Sequence, residues 1–274
     1  MCEQERRLQE LNFKKDIAEE SLSNKSGAYE TGVKLNCNIH GEYPEKEIKL
    51  FGKKINISHC PKCESDKREK EEAERKEIEK KIQLEKDREL RKAAGVSVRN
   101  ERVRFSHFQT ETDEQKEVHK TVLNFAKSIH EGAETPNIIL TGKVGTGKTM
   151  LANCVINSLF KSKSVRLINL QDMLRKIKGS YSKDSNYSES EAIEAYASFD
   201  LLILDEVGVS RDTDNDKNII FDVLDGRYQN MLPTMIISNL NIEGIKQTLG
   251  DRVVDRLRDG GGILLGCDWE SYRK

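Results

Sequence analysis

No run of about 18 apolar residues occurs in the 274-residue chain, so no membrane-spanning helix is expected. The charged opening Met1-Cys2-Glu3-Gln4-Glu5-Arg6-Arg7 lacks the apolar stretch of a secretory signal. The expectation is a cytoplasmic protein with no membrane partner. Excess charge of either sign is missing too: Lys plus Arg is 46 and Asp plus Glu is 47, for a formal charge of -1. That excludes a whole-molecule positive field for nucleic acid and confines any such contact to a local patch. Internal repeats are absent, which excludes solenoids. What is present in quantity is charge, 34% of residues against 36% hydrophobic, a balance that predicts a solvated helix beside a folded core. Six cysteines, Cys2, Cys37, Cys60, Cys63, Cys154 and Cys267, in a reducing compartment point to thiol or metal chemistry rather than disulfides.

Four segments follow along the chain. Residues 1–33 read as a polar helix and a flexible link through Ser21–Gly27. Residues 34–63 read as a small module in which Cys37-x-x-His40 and Cys60-x-x-Cys63 flank an alternating segment, Glu47–Ile57, with a hairpin turn at Phe51–Lys53. Two such pairs, 19 residues apart, are the donor set of a tetrahedral Zn²⁺ with no position left for water, hence a structural site. Gly41 relieves the turn of the first pair, and His59 is a geometric substitute for His40 that abuts Cys60 and breaks the spacing. The plainer readings are unrelated cysteines, or a redox Cys-x-x-Cys, which lacks the surrounding βαβ pattern. With so few apolar residues, the module would draw its folding energy from the metal. Lone Cys154 and Cys267 suit small core positions.

Residues 64–94 contain 22 charged residues of 31, no Gly and no Pro, with opposite charges three or four apart. They predict a long exposed helix, a spacer or partner-binding arm. Ala73, Ile78, Ile82, Leu84 and Leu90 are too few for a sustained heptad seam.

From Gly95 to Lys274, apolar runs alternate with helical patterns, predicting an α/β domain with five parallel strands: Asn137–Leu140, Val165–Asn169, Leu201–Leu204, Thr234–Ser238 and Ile263–Cys267. The first runs into Gly142-Lys143-Val144-Gly145-Thr146-Gly147-Lys148-Thr149 and a helix beginning near Met150, a phosphate-binding loop in its strand–loop–helix setting. Its amides and helix terminus cradle a triphosphate, Lys148 reaches the β and γ phosphates, and the Thr149 hydroxyl ligates Mg²⁺. The strand at Leu201 ends in Asp205-Glu206, where Asp205 would hold Mg²⁺ and Glu206 would act as general base on water. Asn239, after the fourth strand, suits either a contact to the attacking water or γ phosphate, or a helix N-cap. Arg252 and Arg256, four apart on one helix face, are both candidates for an arginine finger or for surface ion pairs. Between Lys161 and Lys183, seven basic residues (Lys161, Lys163, Arg166, Arg175, Lys176, Lys178 and Lys183) face one acidic, Asp172, with Tyr181 and Tyr187 nearby. Such a patch could track a single strand or be a solvated helix. Phe105 and Phe108 suit adenine or the core.

The phosphate loop, Leu-Asp-Glu-Val-Gly, Ser-Asn, Gly-Asp-Arg-Val-Val-Asp-Arg-Leu-Arg and the closing Asp268-Trp269-Glu270-Ser271-Tyr272-Arg273 together resemble the DnaC-type replicative helicase loaders, AAA+ ATPases of the initiator clade with IstB-type transposition helpers as relatives. The resemblance covers roughly residues 95–274. It implies an AAA+ P-loop core with a five-stranded parallel sheet and no C-terminal lid, preceded here by a zinc-ribbon-like module and a charged helix. It implies Asn239 as sensor 1, Arg256 as arginine finger and Arg252 as a nearby interface residue. It also implies ATP and Mg²⁺ as cofactors, assembly into a homo-oligomer with ATP, and a hexameric replicative helicase and single-stranded DNA as partners. An IstB-like adaptor recruiting a transposase is the alternative. The cysteine module departs from the usual DnaC N-terminus.

Overall fold

A computed structural model of the chain describes residues 3–23, 28–50, 53–182, 184–208 and 213–272. The expected turn residues Phe51 and Gly52, together with Cys2, Lys183 and Arg273, lie outside the described residues. The chain divides into two compact units, 1–86 and 87–274.

The first unit opens with helix α1 (Glu3–Ser23), followed by strands β1 (Tyr29–Cys37), β2 (Gly41–Leu50) and β3 (Lys53–Ile57) and then helix α2 (Pro61–Ala93), in which the division between the units falls. The strands form an antiparallel sheet in the order β1-β2-β3, with Cys37 opposite Gly41 and Ile48 opposite Ile55. The alternating segment is thus the β2–β3 hairpin, while β1 begins at Tyr29, inside the stretch whose composition reads as link. Within this unit the Arg7 guanidinium donates two hydrogen bonds to Glu74, at 2.8 and 3.1 Å, and Leu11 is buried. One face of α1 is therefore ordered by a fork-to-carboxylate contact that no local periodicity announces.

The second unit starts at Asp87, whose buried carboxylate pairs with Lys161. Immediately after α2, Leu167 N–H donates to Ala94 O at 2.8 Å, so the segment 94–96 covers a strand edge that would otherwise be open. Helix α3 (Asp113–Glu131) is opened by a reciprocal cap between Thr112 and Gln115 and closed by Gly132 in the left-handed region. Then come β4 (Ile138–Gly142), α4 (Lys148–Leu159), β5 (Val165–Asn169), α5 (Leu170–Lys178), α6 (Glu189–Ala197), β6 (Leu201–Val207), α7 (Asp214–Gln229), β7 (Thr234–Ser238), α8 (Ile242–Leu249), α9 (Asp251–Arg258) and β8 (Ile263–Cys267).

All five of these strands are parallel, ordered β5-β6-β7-β4-β8. Strands β4, β6 and β7 are interior and nearly solid aliphatic, because both sheet faces are covered: one by α3 and α4, the other by α5, α7, α8 and α9. β8 departs from that pattern: it lies at the sheet edge, and its Leu264 is exposed. Arg227, almost wholly buried, donates to Thr234 Oγ1 and to the carbonyls of Tyr196, Phe199 and Pro233, tying α6 and α7 to the start of β7. No described helix is long and apolar enough to cross a membrane.

Candidate functional site

The order of strands places the tips of β4, β6 and β7 side by side at the carboxyl edge of the sheet, where open α/β folds bind ligands. From β4 the chain turns through residues 142–147 into α4, and Gly147 takes the helix's N-cap position at φ 92°. Lys148 is buried, and its ammonium donates to the carbonyls of Gly142 (2.7 Å) and Lys143 (2.6 Å). Burial pushes its pKa down. The Thr149 hydroxyl donates to Asp205 Oδ2 at 2.9 Å, joining residues 56 apart in sequence.

Asp205 and Glu206 sit where β6 slips in register against β7, between Leu204 and Val207, and Glu206 has φ 56°. Such a bulge re-aims side chains that a regular strand would send to alternate faces. Burial pushes the Asp205 carboxyl pKa up, opposed by the Thr149 hydroxyl, the Glu206 N–H at 2.8 Å and Lys148. Two oxygen donors, Thr149 Oγ1 and Asp205 Oδ2, in mutual contact below the loop fit the hard-ligand demand of Mg²⁺.

Composition and motif alone missed Asn169. Its amide nitrogen donates to Glu206 Oε2 while its oxygen accepts the Gln171 N–H at 2.8 Å, so one side chain caps α5 and holds the carboxylate. The available signal was an Asn between a strand and a helix, which local rules read only as a cap. For Asn239 the N-cap reading falls away: α8 is capped by Asn241, which accepts from Gly244 N–H, and Asn239 is left exposed at the tip of β7.

Arg256 lies half-buried on α9, paired with Asp225 and placed over the Phe221 ring at 4.5 Å and the Tyr228 ring at 5.5 Å; Arg252 is exposed. Phe108 takes the core alternative, buried between His119, Trp269 and Tyr272, and Phe105 packs against the same cluster. The basic window is largely committed within the fold. Lys161 pairs with Asp87, Arg175 with Asp172 at 2.7 Å and Lys178 with buried Asp216, and Arg166 donates to the Ala93 carbonyl. Tyr181 and Tyr187 bond through their hydroxyls to Glu189 and the Lys176 carbonyl, and both side chains are exposed.

In the first unit, Cys37, His40, Cys60 and Cys63 bring one ligand atom each within 4.8 Å of one another. His40 Nδ1 lies 3.3, 3.6 and 3.9 Å from the three sulfurs, and Cys37 Sγ lies 3.4 Å from Cys63 Sγ. A tetrahedral zinc with ordinary Zn–S and Zn–N bonds puts such edges at about 3.5–3.8 Å, so the donor set fits the ion in type and spacing. His59 stands outside the cluster and is exposed. Hydrogen bonds from the Ile39 and His40 amides hold the Cys37 thiol down to about 6, while the contact with Cys37 pushes the Cys63 thiol up to about 12, so of this pair Cys37 is the one that favours the thiolate a metal needs. α2 begins at Pro61, so Cys63 lies in its first turn, and one turn on Asp66 meets His40 Nε2 at 3.0 Å. With Nδ1 facing the sulfurs, Nε2 carries the proton donated to Asp66, the usual outer partner of a ligating histidine.

A five-stranded parallel sheet in this order, carrying a phosphate loop joined through Thr149 to a strand-end Asp-Glu pair, defines a P-loop ATPase of the AAA+ type. Residues 69–274 match the family model described as IstB-like ATP binding protein, and the chain belongs to that family. It is 35% identical over 171 residues, 62% of this chain and 69% of the relative, to the replicative helicase loader DnaC of Buchnera aphidicola subsp. Acyrthosiphon pisum. A crystal structure of the DnaC helicase loader superimposes with TM-score 0.52 at 19% identity, over 62% of this chain and 99% of that one. A crystal structure of DnaI gives 0.53 at 19% identity, over 65% and 94%. At those identities the two structures speak to the fold alone.

Proposed function

We propose that this protein is an ATP-controlled loader that places a hexameric replicative helicase on single-stranded DNA. The observation that carries the reading is the 2.9 Å contact between Thr149 and Asp205 under the phosphate loop, in a chain whose relatives are named DnaC helicase loaders. Relatives named as helicase loaders favour this reading over a transposase adaptor.

In this reading residues Gly142 to Met150 wrap the triphosphate, and Lys148 leaves the carbonyls of Gly142 and Lys143 for the β and γ phosphates. Thr149 and Asp205 would hold Mg²⁺, which when bound neutralises charge developing on the phosphate oxygens. Glu206, held by Asn169, takes the proton from the attacking water, and Asn239 orients that water from the tip of β7. Arg256 serves a neighbouring copy's nucleotide in the ATP-bound oligomer, exchanging Asp225 for the more highly charged γ phosphate, with Arg252 beside it at the interface. Lys176 and the exposed side chains of Tyr181 and Tyr187 supply the DNA contact. The four segments, 1–33, 34–63, 64–94 and 95–274, would then act as helix and link, zinc-held module, arm and motor, with β1 extending the module back to Tyr29 and the module's Zn²⁺ structural.

The test is reconstitution with the replicative helicase of the same organism on circular single-stranded DNA. Wild-type protein with ATP should leave helicase on the circle, and Lys148→Ala should lose both loading and at least about 100-fold of turnover. Failure of the wild type to bind or load the helicase would overturn the reading.

A further inference from the structure

The segment Asp268–Tyr272, which follows β8, meets the phosphate loop at two successive carbonyls. The Trp269 indole N–H donates to Thr146 O at 3.1 Å, and the Tyr272 backbone N–H donates to Gly145 O at 3.0 Å. Every described peptide bond is trans. In a planar trans peptide the carbonyl of one residue and the N–H of the next point in opposite directions. Holding the Gly145 and Thr146 carbonyls toward the segment therefore turns the N–H groups of Thr146 and Gly147 the other way, into the hollow of the loop.

Two successive N–H groups on one side of the chain form an anion-binding nest, which requires alternating backbone handedness. Gly145 at φ 85° and Gly147 at φ 92° supply the left-handed members. Both positions are also closed to a side chain from behind: a Cβ on Gly145 would collide with Ser271, and one on Gly147 would meet the Phe108 ring at 2.8 Å. The Lys143 N–H, by contrast, is spent on Cys267 O at 3.2 Å and is unavailable to a phosphate. Trp269 is itself fixed, 9% exposed and edge-on to Phe108 at 6.4 Å.

We infer that Trp269 is a positioning residue for the triphosphate: its indole N–H presets the Gly147 amide by holding the Thr146 carbonyl. It acts through the loop and does not touch nucleotide. The inference rests on the loop's being the ATP site. It also explains why a segment beyond the last strand carries a large, donor-bearing aromatic at a buried position rather than a plain aliphatic residue.

Trp269→Phe keeps the ring packing and removes only the donor, leaving a buried carbonyl unpaired. Titration calorimetry with Mg²⁺ and a non-hydrolysable ATP analogue should show roughly tenfold weaker binding, and the KM for ATP should rise by a similar factor while kcat changes much less. A melting curve like that of the wild type shows that the variant is folded. Unchanged affinity in folded Trp269→Phe overturns the inference. If Lys148→Ala binds the analogue as well as wild type does, the ATP-site reading itself has failed, a separate outcome. Should the Phe variant not fold, the wild type decides, since Trp269 is the only tryptophan in the sequence. Its single indole N–H signal must be protected from solvent exchange in the nucleotide-free protein, as a donor held on the Thr146 carbonyl is, and rapid exchange overturns the inference.

Discussion

The two units of the chain are held together by different physics. In the second, two aliphatic clusters sandwich a parallel sheet, and even a charged group, Arg227, is buried with its donors satisfied. In the first, the buried apolar residues among those described are Leu11 and Cys60, and the organising contacts are ion pairs and the Cys/His cluster. Sheet packing brings Thr149 and Asp205, 56 residues apart, to within a hydrogen bond of each other. A segment of charged helix and short hairpin buries little apolar surface and instead gathers a donor set of a kind that an ion can close.

The largest expected effect tests that contrast directly. Replacing Cys60 and Cys63 by serine, or stripping metal with a chelator, should unfold the β1–β3 sheet, because structural zinc supplies on the order of 10–16 kcal/mol to such modules. ATP turnover by the second unit should persist. Metal analysis and circular dichroism check this, with one Zn²⁺ per chain expected in wild type, and a metal-free folded sheet would erase the distinction.

Next comes Asp205→Asn, which should lower turnover by about 100- to 1,000-fold. Stability should move the other way. Burial raises the Asp205 pKa in the folded state, so the folded protein binds this proton more tightly than the unfolded chain does. Stability is therefore lost as pH rises from the unfolded carboxylate value through the raised one, and the deficit persists above it. The amide removes that penalty, so the nucleotide-free variant should melt higher than wild type at neutral pH and not at acid pH. Melting curves from about pH 4 to 8 decide it. Equal shifts at both ends would mean that Asp205 is not paying for its burial.

The smallest effect sharpens the comparison within the first unit. Asp66→Asn leaves all four ligands in place but weakens the acceptor for His40 Nε2–H, and should cost about 10- to 100-fold in zinc affinity, read by competition with a chromogenic chelator. Full zinc retention at wild-type rates would show that the cluster orients His40 without it.

Much of the second unit was legible in sequence. The bounds expected for β5, β7 and β8 coincide with the structure, since short, mainly apolar runs between polar turns have few alternatives in a parallel sheet. The paired knuckles likewise identified a cluster whose ligand atoms do converge. Local pattern fails where partners are distant in the chain. Nothing near Asn169 announces Glu206, 37 residues on, and nothing near Trp269 announces Thr146, 123 residues back. The β1 residues Tyr29 to Val33 are exposed and polar-flanked, so only the pairing of Tyr29, Glu30 and Lys34 with β2 on either side of an irregularity marks them as strand. The basic window looked free because its counter-charges, Asp87 and Asp216, lie elsewhere in sequence.

By itself the sequence determined the kinds of chemistry available: a glycine loop shaped for phosphate, carboxylates at a strand end, and three thiols and an imidazole at metal spacing. Those depend on residue type and short spacing, which the covalent chain carries locally. Which groups meet was decided only by the folded sheet and its surrounding helices. Stacking parallel strands brings their tips into register regardless of chain distance, and hydrogen bonds act over a few ångströms of space, not of sequence.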